Sequence, residues 1–379
     1  MVESGSSREA AVIPVGFEPG SYACVRSLSR RGVHTIVASE RENTPAAASR
    51  FCDEFVSIPS PYEDVLAYRD ALVGLAARDD VETIYPLRAQ DAYVFARYAD
   101  AFEPYVSLVT LDSDLLKTVF DRVALVEAAG EAGVPAPETR LLSDVDAWDE
   151  DLIVKSRYNL LTEETCPTFG PRDAATAKSV THVAPGERPN VEAIESEMRH
   201  TPIVQEYVPS SDEYLFGALY DRGEPVTTFQ HRQVRGDSYT GGGGVYREAT
   251  RDPALEATGR ALLDHLDYHG IACIEYMKHA DTGEYVLTEI NPRLWQSLAT
   301  AVRAGADFPA SYWEVASDEP VRSAFEYEVG AGTHLLYGEL GHLLSVVRDE
   351  SPLVDPPSFA RTAVEIAASC VENPHFDVL

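Results

Sequence analysis

Lysine is nearly absent from the chain, although basic residues as a class are not. The 379 residues include only four lysines, and arginine supplies the rest of the 31 basic residues, which face 62 acidic ones for a net charge of −31. The acidic residues are spread along the chain, which argues against a disordered acidic tail. Such a surface is typical of proteins from a high-salt cytoplasm, where salt screens self-repulsion. Without a basic patch, nucleic acid is not an expected partner.

Other absences narrow the class of protein. No run of about 18 apolar residues is present, and the first ten residues lack the apolar core of a signal peptide. We therefore expect a soluble cytoplasmic protein with no membrane partner. No two cysteines form a Cys-x-x-Cys pair, which disfavours a zinc or redox motif. The loop Gly16–Gly20 is not the Gly-x-Gly-x-x-Gly fingerprint, which argues against a nicotinamide-dependent oxidoreductase.

The stretch Ile271–Arg293 has the pattern of a β-hairpin. Two apolar, β-prone runs flank a turn cluster that contains Asp, Thr and Gly. A turn centred on Thr282 places Glu275 directly opposite Glu289. The same register puts these residues on the face of the two carboxylates: Ile271, Cys273, Met277, Tyr285, Leu287 and Asn291.

Two opposed carboxylates on a mostly apolar face require a positive partner. Like charges directly opposite each other destabilise a strand pair, and a carboxylate near apolar groups loses hydration. Together with the amide oxygen of Asn291, Glu275 and Glu289 would suit Mg²⁺, which takes one or two carboxylates and completes its shell with water and phosphates. Arg293 would hold a phosphate or carboxylate beside the metal. The alternative is a surface hairpin with two solvated glutamates.

Glu275 and the segment Glu289–Arg293 (EINPR) resemble the Glu…Glu-x-Asn-x-Arg signature of the ATP-grasp superfamily. That group includes carboxylate–amine ligases, biotin carboxylase and carbamoyl phosphate synthetase. The resemblance implies an α/β chain with an ATP-grasp fold behind a Rossmann-like domain. It also implies ATP as cofactor, with Mg²⁺ or Mn²⁺ held by Glu275, Glu289 and Asn291. Arg293 would contact the reacting group.

The same resemblance predicts cations at the ATP phosphates. Arg122 and the later residues 133–135 (GVP) are similar to the family's Asp-Lys…Gly-Val/Ile-Pro pattern, with arginine in place of lysine. Lys117, one turn earlier, is the alternative phosphate ligand. Lys155 ends a short apolar run and resembles the family's second ATP-binding lysine. Where the family has a Gly/Ser-rich loop over the phosphates, residues 156–177 contain one glycine, so the pattern departs there.

Residues 202–208 resemble the hinge between the two ATP-grasp subdomains. The resemblance implies that backbone groups of Glu206, Tyr207 and Val208 meet the adenine. It also implies that the carboxylate of Glu213 binds the ribose. On so acidic a chain, a solvated loop acid is an equally open interpretation of Glu213.

Arg232 and Arg235 precede four consecutive glycines, residues 241–244, and predict a basic clamp beside a mobile loop. Guanidinium forks suit carboxylates and phosphates, and glycines let a backbone approach a ligand. The strand that carries them vaguely resembles the acceptor-contacting strand of biotin carboxylase. We interpret Arg232, Arg235 and Arg293 as catalytic residues at the acceptor carboxylate. A flexible hairpin tip is the alternative.

The order of the predicted elements suggests several domains. Alternating strands and helices in the first 110 residues predict a parallel sheet. One helix is expected at 115–132, and a strand near 362–367. The predicted units are a Rossmann-like domain at 1–112, a small ATP-grasp subdomain at 113–204, a catalytic subdomain at 205–320 and a C-terminal extension at 321–379.

These features favour an ATP-dependent ligase. MgATP would phosphorylate a small-molecule carboxylate, and an amine would capture the acylphosphate, releasing ADP and phosphate. A homodimer is left open. One alternative is a bicarbonate-using carboxylase, although the glutamate expected shortly beyond Arg293 is missing from residues 294–297. Another is a regulatory nucleotide-binding protein with a degenerate site, against which the intact Glu, Glu and Asn trio argues.

Overall fold

The structure, a computed structural model, describes residues 9–177, 179–321, 325–349 and 351–377. Its N-terminal part contains a four-stranded parallel sheet in the order β3-β2-β1-β4. The elements are β1 (Ala10–Pro14), α1 (Pro19–Arg30), β2 (His34–Ser39), β3 (Glu54–Ser57), α2 (Val65–Ala76), β4 (Val81–Ile84), α3 (Ala89–Arg97) and α4 (Ala99–Phe102). Every residue of β1 is buried, as expected for a parallel strand covered on both faces. The predicted parallel α/β beginning is confirmed.

A second, antiparallel sheet follows in the order β5-β8-β6-β7. Its elements are α5 (Ser113–Phe120), α6 (Arg122–Glu131), β5 (Thr139–Leu141), a 3₁₀ turn (Leu142–Asp144), β6 (Leu152–Lys155), β7 (Val180–Val183), α7 (Val191–Met198) and β8 (Ile203–Glu206). The single helix predicted at 115–132 is wrong. It breaks at Asp121, whose backbone is extended and whose side chain accepts the N–H of Val123 as a helix cap. The break makes Arg122 the first residue of α6.

The largest sheet is antiparallel and six-stranded, in the order β13-β12-β9-β10-β11-β14, where β14 is Gly332–His334 near the C-terminus. Its central part and the helices beside it are β9 (Ser210–Asp221), β10 (Glu224–Ser238), β11 (Gly241–Thr250), α8 (Pro253–His265), β12 (Gly270–His279), β13 (Tyr285–Asn291), α9 (Leu298–Ala304) and α10 (Phe308–Ala316). One face of the sheet packs against α8 through Phe216, Ile274 and Tyr276. The other face, with Leu215 and Cys273, packs against α9 and α10, which also contact α1.

The C-terminal segment completes the large sheet. It contributes β14 (Gly332–His334), α11 (Leu336–Arg348) and α12 (Phe359–Glu372), and β14 pairs with β11. The strand predicted near 362–367 is wrong, because these residues lie inside α12, where four alanines favour a helix. The division into four domains stays a prediction. In the described ranges, no helix is long and apolar enough to cross a lipid bilayer.

The glycine run 241–244 does not form the predicted mobile loop. It begins β11 and pairs back onto β10, with Gly244 opposite Gly236. Gly241 and Gly242 have φ angles of 122° and 103°, which side chains with a Cβ rarely adopt. At the hairpin tip, the hydroxyl of Tyr239 donates to the carbonyl of Asp349, 2.9 Å away. The glycines therefore serve a tight antiparallel turn that contacts the end of α11.

Candidate active site

The hairpin of β12 and β13 brings the two predicted carboxylates together. Glu275 pairs with Glu289, and Cys273 pairs with Asn291, as the sequence pattern predicts. Between Glu275 and the turn the register slips by one residue, so that Tyr276 lies opposite Leu287. The hydroxyl of Thr288, the extra residue, donates to the carbonyl of Glu275 at 2.9 Å. A β-bulge therefore adjoins the pair, where bulges often re-aim side chains.

Because of the bulge, part of the prediction about which side chains share the face of Glu275 and Glu289 is wrong. Ile271 and Cys273 lie on the carboxylate side as expected. Tyr285 and Leu287 instead pack on the opposite face, in the core that contains Tyr276. A slip of one residue moves every later side chain of a strand to the other face.

The two carboxylates differ in their hydrogen bonds. One oxygen of Glu289 accepts from Nη2 of Arg122 at 2.5 Å, and the other accepts from Nδ2 of Asn291 at 2.7 Å. Nη2 of Arg293 donates to Oδ1 of Asn291 at 3.4 Å. The solvent-exposed carboxylate of Glu275 accepts no hydrogen bond from another described residue. Glu275 therefore keeps its oxygens available to a ligand.

The surroundings move the pKa values of the two glutamates apart. Desolvation by the surrounding protein atoms, followed by the charge of Glu289, raises the pKa of Glu275. Desolvation would also raise the pKa of Glu289. There, however, the charge of Arg122, the hydrogen bond from Asn291 and the charge of Lys155 outweigh it and lower the pKa. Glu289 is thus an anion at neutral pH, held by groups from other elements.

Lys155 reaches this site from the end of β6, in the second sheet. In the described ranges, its ammonium group has no hydrogen bond or ion pair. Partial burial and then the charge of Arg122 lower the pKa of Lys155 to about 7, although Glu289 and Glu275 oppose the shift. Arg122 itself also donates to the carbonyl of Ser156 at 3.1 Å. Two cations and two carboxylates therefore meet between the second and third sheets.

The chain after Lys155 is fixed by contacts that the sequence did not suggest. Nε2 of His200 accepts the N–H of Arg157 at 3.1 Å and lies 3.2 Å from the hydroxyl of Ser156. The guanidinium of Arg157 makes three hydrogen bonds to the carboxylate of Asp121, of 2.9, 3.1 and 2.6 Å. Asp121 precedes Arg122, so these contacts also position the start of α6. The segment that departs from the family pattern is thus tied to the site.

Asn159 is a site residue that sequence reasoning missed. Its Nδ2 donates to the carbonyl of Ile290, between Glu289 and Asn291, at 3.1 Å. Its buried Oδ1 has no hydrogen-bond partner in the described part of the chain. A buried amide oxygen without a partner is costly and marks a place for a ligand or water. The available signal was a polar side chain shortly after Lys155.

Of the predicted adenine-contacting residues, Glu206 ends β8, and Tyr207 and Val208 lie in the connection to β9. The N–H groups of Glu206 and Tyr207 already donate to the carbonyls of Glu138 and Asp151, at 3.1 and 2.9 Å. The carboxylate of Glu206 is exposed and accepts from the N–H of Glu138. Val208 is buried. Backbone recognition of an adenine here is therefore left to the carbonyl oxygens and to the N–H of Val208.

Glu213 lies in β9 on the same face as Glu275. Its carboxylate accepts a hydrogen bond from Gln233, its register partner in β10. Burial raises the pKa of Glu213 to about 7, and the Gln233 hydrogen bond opposes the shift. The interpretation of Glu213 as a solvated loop acid is wrong, because the residue sits within a paired strand.

The structure does not form the predicted clamp of Arg232 and Arg235. Arg232 alternates with Gln233 and therefore projects from the opposite face of the sheet, where Nη1 lies 3.7 Å from Asp212. Arg235 makes hydrogen bonds of 2.8 and 3.1 Å to the carboxylate of Glu339 in α11. Neither guanidinium faces the carboxylate pair. Of the three predicted catalytic arginines, only Arg293 joins the site, where its charge acts on Glu275.

Two antiparallel sheets that follow a parallel α/β unit are typical of the ATP-grasp fold, and this chain has that fold. No protein-family model and no curated protein sequence matches the chain. The chain is similar in structure to several solved proteins, three of which are described below.

N5-carboxyaminoimidazole synthetase from Staphylococcus aureus is 14% identical, with a TM-score of 0.62 over 86% of this chain and 81% of that chain. An L-amino acid ligase from Bacillus licheniformis is 14% identical, with a TM-score of 0.60 over 84% and 78%. The biotin carboxylase domain of 2-oxoglutarate carboxylase from Hydrogenobacter thermophilus is 15% identical, with a TM-score of 0.65 over 85% and 73%. At such identities the likeness shows the fold.

Proposed function

We propose that the protein is an ATP-dependent ligase. It would phosphorylate a small-molecule carboxylate with MgATP, and an amine would capture the acylphosphate, forming a C–N bond with release of ADP and phosphate. The observation that carries the proposal is the opposed pair of Glu275 and Glu289, which Lys155 and Arg122 approach from the second sheet. The biotin carboxylase domain of the same fold was captured with MgADP and bicarbonate, which supports a nucleotide site between the two antiparallel sheets.

The residues at the pair fit Mg²⁺ or Mn²⁺. Glu275, Glu289 and Asn291 offer hard oxygen atoms, and Glu275 has no competing hydrogen bond among the described residues. The unpartnered oxygen of Asn159 lies beside the same strand. We propose the first three residues as metal ligands. A bound metal would neutralise phosphate oxygens of the nucleotide.

The remaining residues would bind and orient the substrates, since phosphoryl transfer depends mainly on positioning and electrostatics. We assign Lys155 and Arg122 to the nucleotide phosphates. Arg293, whose guanidinium donates to one side-chain oxygen and to a backbone carbonyl, would fix the acceptor carboxylate. The carbonyl groups of residues 206–208 would meet the adenine, and Glu213 the ribose.

The proposal is tested by incubating the protein with MgATP, a panel of amino acids and small acids, and hydroxylamine as a trap. The right acid should release ADP and phosphate and yield a hydroxamate. AMP and pyrophosphate would instead show adenylation and contradict the acylphosphate. ADP release driven by bicarbonate alone would favour the carboxylase alternative. ATP binding without acid-stimulated turnover would favour a regulatory protein. We further propose a cytoplasmic location, while a homodimer stays a prediction.

A further inference from the structure

A groove on the N-terminal part of the protein gathers three arginines. It lies between the outer face of α1 and the segment that follows β2, and its volume is about 530 Å³. The residues that matter here are Tyr22, Arg26, Arg30, Ser49, Arg50 and Phe51. No residue of the candidate active site lines this groove. We propose that the groove is an accessory binding site for a multivalent phosphate, in the form of inorganic diphosphate or the phosphate tail of a nucleotide.

The three arginines of the groove have no acidic partner among the described residues. In the described ranges, Arg26, Arg30 and Arg50 form neither an ion pair nor a side-chain hydrogen bond. Arg31, the next residue after α1, does pair with Glu314 at 3.1 Å. Among the described residues, no acidic side chain lines the groove. On a molecule with a net charge of −31, the groove is therefore a local site of positive potential.

The arrangement is unfavourable without an anion. Arg26 and Arg30 are four residues apart on α1, so their side chains lie on one face, where like charges repel. Arg50, in the segment that follows β2, lines the same groove. A bound anion would convert this repulsion into attraction, because each guanidinium could then donate to a shared set of oxygens.

Phe51 orients two of the cations. The guanidinium carbon atoms of Arg30 and Arg50 lie 5.7 and 4.9 Å from the centre of its ring. The ring itself packs edge-to-face against Tyr22, with centroids 6.4 Å apart. Stacking of this kind stabilises a guanidinium and limits its freedom before a ligand arrives. Less entropy is then lost on binding, so the groove is partly pre-organised.

The number of guanidinium groups in the groove indicates the class of ligand. A single monovalent anion would satisfy one guanidinium, whereas a diphosphate carries enough oxygens and charge for all three. The hydroxyl of Ser49 accepts the N–H of Phe51 at 3.1 Å and keeps its own proton for donation. The volume lies within the range of roughly 300–1,000 Å³ that is usual for small-molecule sites. The proposal does not depend on the proposed ligase activity.

The test is a calorimetric titration of the full-length protein with inorganic diphosphate, at low salt and with EDTA present. Arg30→Ala and Arg50→Ala should each weaken one binding event about tenfold. That event should persist in Lys155→Ala, which perturbs the proposed ATP site. Arg348→Ala removes an exposed arginine of α11 and should leave the affinity unchanged. Circular dichroism melts would verify that the variants remain folded.

Several results would overturn the proposal. These are unchanged diphosphate binding in Arg30→Ala and Arg50→Ala, an equal loss in Arg348→Ala, or loss of the only binding event in Lys155→Ala. Titration of the Lys155→Ala variant with ADP distinguishes the two sources of phosphate. Tighter binding of ADP than of diphosphate would show that the groove takes a nucleotide, and equal binding would show that the phosphates alone are recognised. Both results would support the proposed chemistry.

Discussion

Arg122 donates a hydrogen bond of 2.5 Å to Glu289, although 167 positions separate the two residues along the chain. The contact joins the first residue of α6 to β13, and it supplies a positive charge beside two opposed carboxylates. Two roles follow for Arg122. The guanidinium either binds the nucleotide phosphates together with Lys155, or it occupies the oxygen of Glu289 that a metal ion would need.

Substitution of Arg122 separates these roles. If the guanidinium binds phosphate, Arg122→Gln should weaken MgATP binding about tenfold, because a charged hydrogen-bond donor is lost. Arg122→Lys should lose less, since the charge is kept although the planar fork is not. Isothermal titration calorimetry measures both affinities. Tighter MgATP binding by Arg122→Gln would show instead that the guanidinium competes with the metal.

Glu289→Ala should abolish magnesium-dependent nucleotide binding while leaving the fold intact. The variant removes one of two opposed carboxylates, and the partner strand remains paired through its backbone. The matched control is Glu284→Ala, which removes an exposed carboxylate near the turn of the same hairpin. Calorimetry with and without Mg²⁺ measures the effect, and a thermal melt reports the fold. Unchanged nucleotide binding by Glu289→Ala would refute the site.

The contact of Arg235 with Glu339 predicts a structural role. Both side chains are at most 10% exposed. Arg235→Ala should lower the free energy of unfolding by about 1–3 kcal/mol, because the buried carboxylate of Glu339 loses its hydrogen bonds from the guanidinium and keeps only the contact with Nδ1 of His334 at 2.6 Å. Arg232→Ala is the control, since its pair with Asp212 is 3.7 Å long and 41% of its own side chain is exposed. That variant should lose less than about 1 kcal/mol.

Denaturant unfolding measures both arginine variants. Equal costs for the two would contradict the structural assignment of Arg235. Normal stability of Arg235→Ala together with lost turnover would restore its interpretation as an acceptor ligand.

His231 should make folding sensitive to acid. The ring is 3% exposed, and its Nε2 lies 2.8 Å from the hydroxyl of Ser297. Burial and then the charge of Arg247 lower the pKa of His231 to about 3. In the unfolded chain the pKa is about 6.5, so below that pH the unfolded state binds the extra proton. Stability is therefore full above about pH 6.5 and falls by about 1.4 kcal/mol per pH unit towards pH 3.

The variant His231→Gln isolates this effect, because a glutamine amide can still reach Ser297 but does not titrate. Other groups titrate equally in both proteins, so they cancel in the difference. The stability of the wild type relative to the variant should fall as the pH is lowered from about 7 to about 4. Denaturant titrations at several pH values give the difference, and parallel pH curves would contradict the prediction.

The net charge of −31 predicts that salt stabilises the fold. Added KCl screens the repulsion among the dispersed carboxylates, so the melting temperature should rise with KCl concentration. Scanning calorimetry from low to molar KCl tests this. A melting temperature that stays flat over this range would count against a salt adaptation.

The amino-acid sequence alone determined the hairpin and the pairing of Glu275 with Glu289. Strand alternation has a period of two, and the turn cluster at His279–Gly283 leaves few positions for the turn, so the pairing of the two carboxylates could be predicted locally. The bulge between this pair and the turn was not predicted, because strict alternation contains no signal for an extra residue. The same local patterns predicted the parallel α/β beginning, where β1 is apolar throughout. The helix break at Asp121 had a local signal as well, an N-cap side chain, which the apolar pattern of the two flanking helices obscured.

Tertiary structure alone decided which side chains meet. Arg122 and Lys155 reach Glu289 because the second sheet stands beside the third, and no local pattern records that placement. Arg235 forms an ion pair with Glu339, 104 residues later, because the C-terminal segment folds back onto the large sheet. Local periodicity can predict which face of a strand a residue occupies. It cannot predict a partner that lies far away in the chain, because that contact depends on how complete elements pack.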